Sequence, residues 1–349
     1  MTDWPGCAVE ATDHTSVQRL VSCGWLNPEA AAHARVDTTS SSHIVCRVVA
    51  PDGRTAIVKQ QGRHGARRGL ERELFVYRLA HWLPDVAAAV PHSMLLDEKN
   101  QLLAIEPVGD VTTWPPRPTD LSEVSGAATG RLGALMAGWH RVTQDLALWP
   151  SPAVGILHMP DALGEAAADR ATATRQLMET IVEDEALSAV LRLTRQRWRD
   201  RCLVHGDLRR DNWFASDDGS SVEVKVVDWE LAGSGDPAWD LGSVVAEFVL
   251  DDVRREQNVF SPMHKNEDAP LREFFGSYVD SGGLLRPKLR SEREHVIMCA
   301  VARLLHVACE WSEMQSTPTE GPAWDVVELA RRLLHDADHV RNSIRAAIH

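Results

Sequence analysis

Between residues 15 and 35 apolar and polar positions recur with helical spacing. Val17, Leu20 and Val21 share one side, and NPEAAA (27–32) reads as a helix start, with Asn27 placed to cap and Pro28 at the first position. The texture then changes. TTSSSHIVCRVVAPDGRTAIVKQ (38–60) predicts a loop, a strand, a turn and a second strand. Val45, Val48 and Val49 are β-formers, Pro51-Asp52-Gly53 is a turn, and Ile57-Val58 resume the extended run. A basic, glycine-containing loop follows at 62–69. Leu70, Leu74, Tyr77 and Leu79 then fall on one side of a predicted helix. Two more short strands are expected within 90–108, the second being QLLAIEPV.

Beyond the proline- and threonine-rich stretch TTWPPRPTD (112–120) the pattern is mainly helical, and a lobe boundary is expected near 107–112. Leu132, Leu135, Met136 and Trp139 mark one helix, and Leu187, Val190, Leu191 and Trp198 another. Ile297, Ala300, Val301, Leu304, Leu305 and Ala308 mark a strongly periodic third, and 324–348 supply one or two more. One β island interrupts them: CLV (202–204) and VEVKVV (222–227) read as short strands.

Composition narrows the picture. The 349 residues are 44% hydrophobic, enough for a large core in two lobes. No apolar run approaches the roughly 18–20 residues of a membrane span, and MTDWPGCAVEATDHTSVQ has no basic segment followed by an apolar one, so neither a membrane span nor a signal peptide is expected. The six cysteines include no C-x-x-C pair and the 15 histidines no H-E-x-x-H, which argues against a zinc site or disulfide framework and for a reducing cytoplasm. The net charge of −13 argues against a general nucleic-acid binder. Residues 1–110 account for −2 of it and the remainder for −11, a balance that would welcome a cationic ligand and that solubility explains equally well.

Candidate chemistry lies in five features in fixed order: Lys59 at the end of a strand, Glu73 on a helix, LVHGDLRRDNWFA (203–215), Asp228 at the end of VEVKVVD, and Asp240 in GSGDPAWDLG. Singly, each has an ordinary reading. Lys59 reads as a solvated lysine, although only five of the 37 basic residues are lysines. Glu73 reads as a solvated helix residue with Glu71 as its rival, His205 as a structural hydrogen-bonder, Asp228 as a turn residue and Asp240 as a helix N-cap. Together they match a kinase catalytic segment, because H-x-D-x4-N is followed by a hairpin and a second aspartate. Phosphoryl transfer asks the protein for positioning and charge neutralisation. Lys59, held by Glu73, can contact the nucleotide phosphates. Asp207 can accept the proton of the attacking hydroxyl, and Asn212 with Asp228 offers the oxygen ligands that Mg²⁺ requires. SSSHIV (40–45) lacks glycines, but the backbone of Ser41 and Ser42 could cradle phosphate. No Walker A motif is present.

HGDLRRDNWF…VKVVDWELAGSGDPAWDLG resembles the aminoglycoside phosphotransferase and choline kinase-like superfamily, where H-G-D replaces H-R-D and a D-x-E form replaces D-F-G. LGALMAGWHRV (132–142) and the hinge-like LLAIEPVGD (102–110) extend the likeness over roughly residues 38–311. It implies an α+β, protein-kinase-like fold with a small β-rich N-lobe and a larger, mainly helical C-lobe. The corresponding division is a helical extension at 1–36, a nucleotide-binding lobe at 37–110 and a catalytic, substrate-binding lobe at 111–349. It also implies ATP and Mg²⁺ as cofactors, Asp207 as base, Asn212 and Asp228 on the metal, and Lys59 on ATP with Glu73 paired to it. His205 and Asp240 would brace the loop, and backbone around Glu106 would take the adenine.

Members of the superfamily act on aminoglycosides, choline, homoserine, sugars and macrolides, so the acceptor is a small-molecule hydroxyl or, by the likeness of GWLNPEAA, DWELAGSGDPAWDLGS and RLLHVACEW to kinases of class V lanthipeptide pathways, a peptide Ser or Thr. Asp251, Asp252, Glu310 and Glu313 are candidate acceptor-site carboxylates that read equally as surface charges. The alternative function is a pseudokinase or nucleotide-binding scaffold without catalysis. No nucleic-acid or membrane partner is expected, and oligomeric state is not legible.

Overall fold

The computed structural model describes residues 13–40, 43–61, 69–109, 124–168, 170–217, 221–256, 268–286, 289–314 and 320–346. The chain divides into two compact units, residues 1–118 with 225–231, and residues 119–224 with 232–349. The elements are α+β, with the sheet in the first unit and most of the helix in the second.

The first unit is built on five antiparallel strands, β1 (Arg35–Ser40), β2 (His43–Val49), β3 (Thr55–Gln61), β4 (Ser93–Asp97) and β5 (Leu102–Ile105), in the order β1-β2-β3-β5-β4. Residues 35 and 38–40, expected as the end of a helix and a loop, form β1. Pairing along the whole of β2, from Arg35 opposite Val49 to Ser40 opposite Ile44, overrides the local signal, and the β-branched Val36, Thr38 and Thr39 suit it. Arg47 crosses from β2 to Asp37, with Nε at 2.9 Å and Nη2 at 2.5 Å from Oδ2. The expected cap at Asn27 forms: its Oδ1 accepts from the N–H of Ala30 at 2.7 Å. Leu20, from the helix Asp13–Ser22, joins Leu26, Cys46, Val48, Val58 and Leu102 in one buried cluster, so this N-terminal segment helps cover the sheet.

The second unit is a set of helices around a small β island. The helix Gly126–Val142 packs on Asp268–Asp280, and Pro237–Glu256 packs on Arg290–Ser312, which in turn packs on Pro322–His335. Gly133 allows the first of these contacts, because a Cβ there would overlap the Phe274 carbonyl. Trp139, Trp213 and Trp239 are fully buried and fill much of the interior. β6 (Cys202–Val204) pairs antiparallel with β9 (Gly233–Gly235), while β7 (Trp213–Asp217) pairs with β8 (Val222–Val226). The strand β9, GSG, has no β-forming residue, and only its pairing makes it one. Five cysteines are described and all are free thiols. Among the described residues no helix is long and apolar enough to cross a membrane.

Candidate active site

In the first unit β3 holds Lys59 between Val45 and Leu103 on the neighbouring strands. The helix Gly69–Ala80 buries Leu70, Glu73, Leu74 and Tyr77, one face at helical spacing, which puts Glu73 inside and leaves Glu71 exposed. Lys59 Nζ lies 3.0 and 3.1 Å from the two Glu73 carboxylate oxygens and 2.8 Å from Asp228 Oδ1. Lys59 is therefore a buried, doubly paired cation. Burial alone would lower its pKa, but the Asp228 and Glu73 carboxylates outweigh that and raise it. Burial raises the pKa of Glu73 against the pull of Lys59. Among the described residues the buried Tyr77 hydroxyl has no hydrogen-bond partner, and burial, then Glu73 and Asp228, push its pKa well up.

Asp228 sits at φ +66°, a left-handed conformation that Asp tolerates better than most residues and that concentrates at functional sites. The short 3₁₀ turn Trp229–Leu231 that follows packs on the helix Gly69–Ala80. There Glu230 Oε2 meets His43 Nδ1 at 3.0 Å, tying the turn to the first residue of β2.

In the second unit Asp207 is 3% exposed and held between two guanidiniums. Arg303 Nη2 donates to Oδ1 at 2.6 Å, and Arg209 donates to Oδ2 through Nε at 2.9 Å and Nη2 at 2.5 Å. Burial would raise the Asp207 pKa, but Arg303 and Arg209 bring it well below the usual carboxylate range. Asn212 Nδ2 donates to the Asp207 carbonyl at 2.8 Å, which turns its amide oxygen away from that bond. His205 is buried and its Nδ1 accepts from the Asp207 N–H at 3.2 Å.

The loop is braced from below by Asp240. Its Oδ2 accepts from the His205 N–H at 2.8 Å and its Oδ1 from the Gly206 N–H at 3.1 Å. Gly206 has φ +85°, which only glycine adopts without strain, and its carbonyl accepts from Trp239 Nε1 at 2.9 Å. His140 Nε2 lies 3.3 Å from Asp240 Oδ2, and its Nδ1 lies 3.1 Å from the Tyr278 hydroxyl. Asp240 is not the helix N-cap that its position suggests. It lies within the first turn of Pro237–Glu256, and Asp236 caps instead, accepting from the Ala238 N–H at 2.9 Å ahead of Pro237.

Lys59, Glu73 and Asp228 thus meet within one unit, and His205, Asp207, Asn212 and Asp240 within the other. Ser41 and Ser42 lie outside the described residues. Glu106 is exposed, and its N–H is engaged by the His92 carbonyl at 2.9 Å. Of the acidic candidates, Asp251 is buried opposite Arg210, and Glu310 and Glu313 line a cavity. Sequence reasoning missed Arg209 and Arg303. Arg209 stands in the quoted motif. Arg303 is fully buried amid the apolar positions of the helix Arg290–Ser312, where an arginine is itself a signal.

Residues 37–267 match the phosphotransferase enzyme family (APH), well over half of the chain. The chain belongs to that family. It is a kinase. A comparison with curated protein sequences gives no match. Among solved structures the chain is similar to an ethanolamine kinase from Plasmodium vivax, with a TM-score of 0.58, 11% identity and 97% of this chain covered against 91% of that one. It is similar also to the choline kinase LicA from Streptococcus pneumoniae, with a TM-score of 0.56, 14% identity and coverage of 93% and 98%. An amicoumacin kinase solved with AMP-PNP and Ca²⁺ gives a TM-score of 0.56, 12% identity and coverage of 93% and 95%. At these identities the likeness is one of fold.

Proposed function

We propose that this family member transfers the γ-phosphate of ATP, with Mg²⁺, to a hydroxyl of a small molecule. The observation that carries the proposal is the buried ion cluster on Lys59. A fully formed Lys59–Glu73–Asp228 arrangement keeps an ammonium charged on β3, as a nucleotide phosphate requires. The amicoumacin kinase with AMP-PNP supports a nucleoside triphosphate as donor.

The donor chemistry fits Mg²⁺. Asp228 offers a carboxylate that is 36% exposed, and Asn212 offers an amide oxygen whose NH₂ is already committed to Asp207. Among the described residues no group of three or more His, Cys, Asp or Glu could cage a metal by itself. That suits a cation held by one or two protein oxygens together with substrate phosphates. The metal, when bound, neutralises charge on the transferring phosphate.

The chain's own residues do the rest. Lys59, oriented by Glu73, binds phosphate oxygens. Asp207, kept ionised by Arg303 and Arg209, accepts a hydrogen bond from the acceptor hydroxyl and receives its proton as the new O–P bond forms and the bond to ADP breaks. His205 and Asp240 hold the backbone on which Asp207 stands.

The test is transfer of labelled γ-phosphate from ATP by the purified chain and by Asp207→Asn and Asp228→Ala. The expected outcome is a fall in kcat of about 10²–10⁴-fold for Asp207→Asn, and loss of Mg²⁺-dependent turnover for Asp228→Ala. Undiminished turnover in either variant rules the mechanism out, and a nucleotide-dependent thermal shift without turnover on any acceptor would make the chain a nucleotide-binding scaffold.

A further inference from the structure

The second unit contains a cavity of about 340 Å³ lined by residues of that unit. Ile156, Met159 and Met178 supply an apolar, adaptable wall. His306 and Glu310, one turn apart on the helix Arg290–Ser312, supply a polar one. Arg303 lies one turn before His306 and joins this wall to Asp207, since its Nη2 donates to Asp207 Oδ1 at 2.6 Å and its Nη1 lies 3.0 Å from His306 Nδ1.

The hydrogen-bonding capacity of the wall follows. A guanidinium can only donate, so His306 Nδ1 accepts and Nε2 carries the proton. Burial and the Arg303 charge hold His306 neutral, with a pKa pulled down to about 3. The imidazole therefore offers the cavity one N–H donor. Glu310 makes no hydrogen bond among the described residues, with the Arg209 guanidinium Nη2 at 3.7 Å and the neutral His306 Nε2 at 3.8 Å. It offers an open acceptor beside that donor.

Of the two carboxylates on this wall, Glu313 is paired with Arg170. Glu310 is the other, and Arg209, whose guanidinium also serves Asp207, lies 3.7 Å from it.

We propose that this cavity is the acceptor pocket and that it selects a compact, partly apolar molecule carrying a vicinal diol. One hydroxyl of the diol gives its proton to Asp207. Its neighbour donates to Glu310 and accepts the His306 Nε2–H. A hydroxyl suits that pair because it both donates and accepts. The apolar body lies on Ile156, Met159 and Met178. A volume near the lower end of the roughly 300–1,000 Å³ range of ligand pockets favours one ring or a short chain. The inference rests on the phosphotransferase reading of Asp207. The balance is that of the proposed reaction: the diol oxygen bonds to the γ-phosphorus, the bond to ADP breaks, and the proton passes to Asp207.

The experiment measures phosphate transfer to matched acceptors: a cyclic aliphatic 1,2-diol, its mono-alcohol, the analogue with one hydroxyl replaced by an amine, a polycationic amino sugar and a neutral Ser peptide. The diol is expected to exceed the mono-alcohol and the amine in kcat/KM by about tenfold or more, the loss of one well-made hydrogen bond. Glu310→Leu and His306→Phe are expected to abolish that preference while leaving the KM for ATP unchanged. Met159→Trp, which fills the cavity, should raise the KM for the diol alone. Calorimetric binding of the diol to the unmodified chain and to these variants reads the pocket without turnover.

An amine, amino sugar or peptide preferred over the diol would overturn the inference while leaving the phosphotransferase reading intact. So would a diol preference, or diol binding, that survives all three variants. Diol binding lost in the variants, with no phosphate transferred to any acceptor, would uphold the pocket and overturn the phosphotransferase reading.

Discussion

In the first unit a single ammonium, Lys59, lies between the carboxylates of Glu73 and Asp228. In the second a single carboxylate, Asp207, lies between the guanidiniums of Arg303 and Arg209. The arrangements are opposite in sign and alike in effect. Burial works against the central charge in both, and the two flanking partners overcome it, so Lys59 is held charged from above its usual pKa and Asp207 from below. Their balances differ: the Lys59 cluster carries one negative charge in excess and the Asp207 cluster one positive. Under the proposed function the first suits a divalent cation and the second suits incoming phosphate oxygens.

The clusters also differ in how they can relax, which gives the largest test of the comparison. Arg303→Met leaves Asp207 buried with Arg209 alone, and the expected loss is about 3–5 kcal/mol of unfolding free energy. Lys59→Met should cost less, because Glu73, whose pKa burial already raises, can take up a proton. Denaturant unfolding of the two variants decides the point, and equal losses would break the contrast.

pH should separate the units more gently. The Glu230 carboxylate raises the pKa of His43, although burial acts the other way. A raised pKa in the fold means that the His43–Glu230 contribution is complete below the unfolded histidine value of about 6.5 and is lost as pH rises through the raised one. Asp207 has the opposite sign: its contribution is complete above the unfolded value of about 3.9 and is lost as pH falls through the depressed one. Thermal midpoints measured across pH should therefore show an alkaline decline that Glu230→Gln flattens, with the acid limb unchanged. An alkaline limb indifferent to that substitution would remove the role of the pair.

The smallest effect is expected where neither cluster is touched. Arg78 and Glu98 form an ion pair at 2.9 Å with both side chains about half exposed. Arg78→Ala should shift stability by about 0.5 kcal/mol or less in the same unfolding assay. A loss comparable to that of Arg303→Met would mean that burial is not what distinguishes the clusters.

Much of the site was legible along the chain. H-x-D-x4-N, the strand-end Lys59 and Asp228 after its strand are local patterns, and local spacing is what a sequence displays. Glu73 was legible only as one of two candidates with Glu71; the structure buries it on the face of Leu70, Leu74 and Tyr77. The missed features depend on distant residues. β1 exists because β2 pairs with it, and β9 exists because β6 does.

By itself, then, the amino-acid order determined the element pattern around each motif, the Asn27 cap and the reaction class implied by the spacing of Asp207, Asn212 and Asp228. Tertiary structure decided which charges meet. It chose Glu73 over Glu71 for Lys59, and it brought Arg303, 96 residues away, against Asp207. The reason is physical: the charge state of a buried group depends on what packs against it, and packing partners far apart in the chain leave no mark on its spacing.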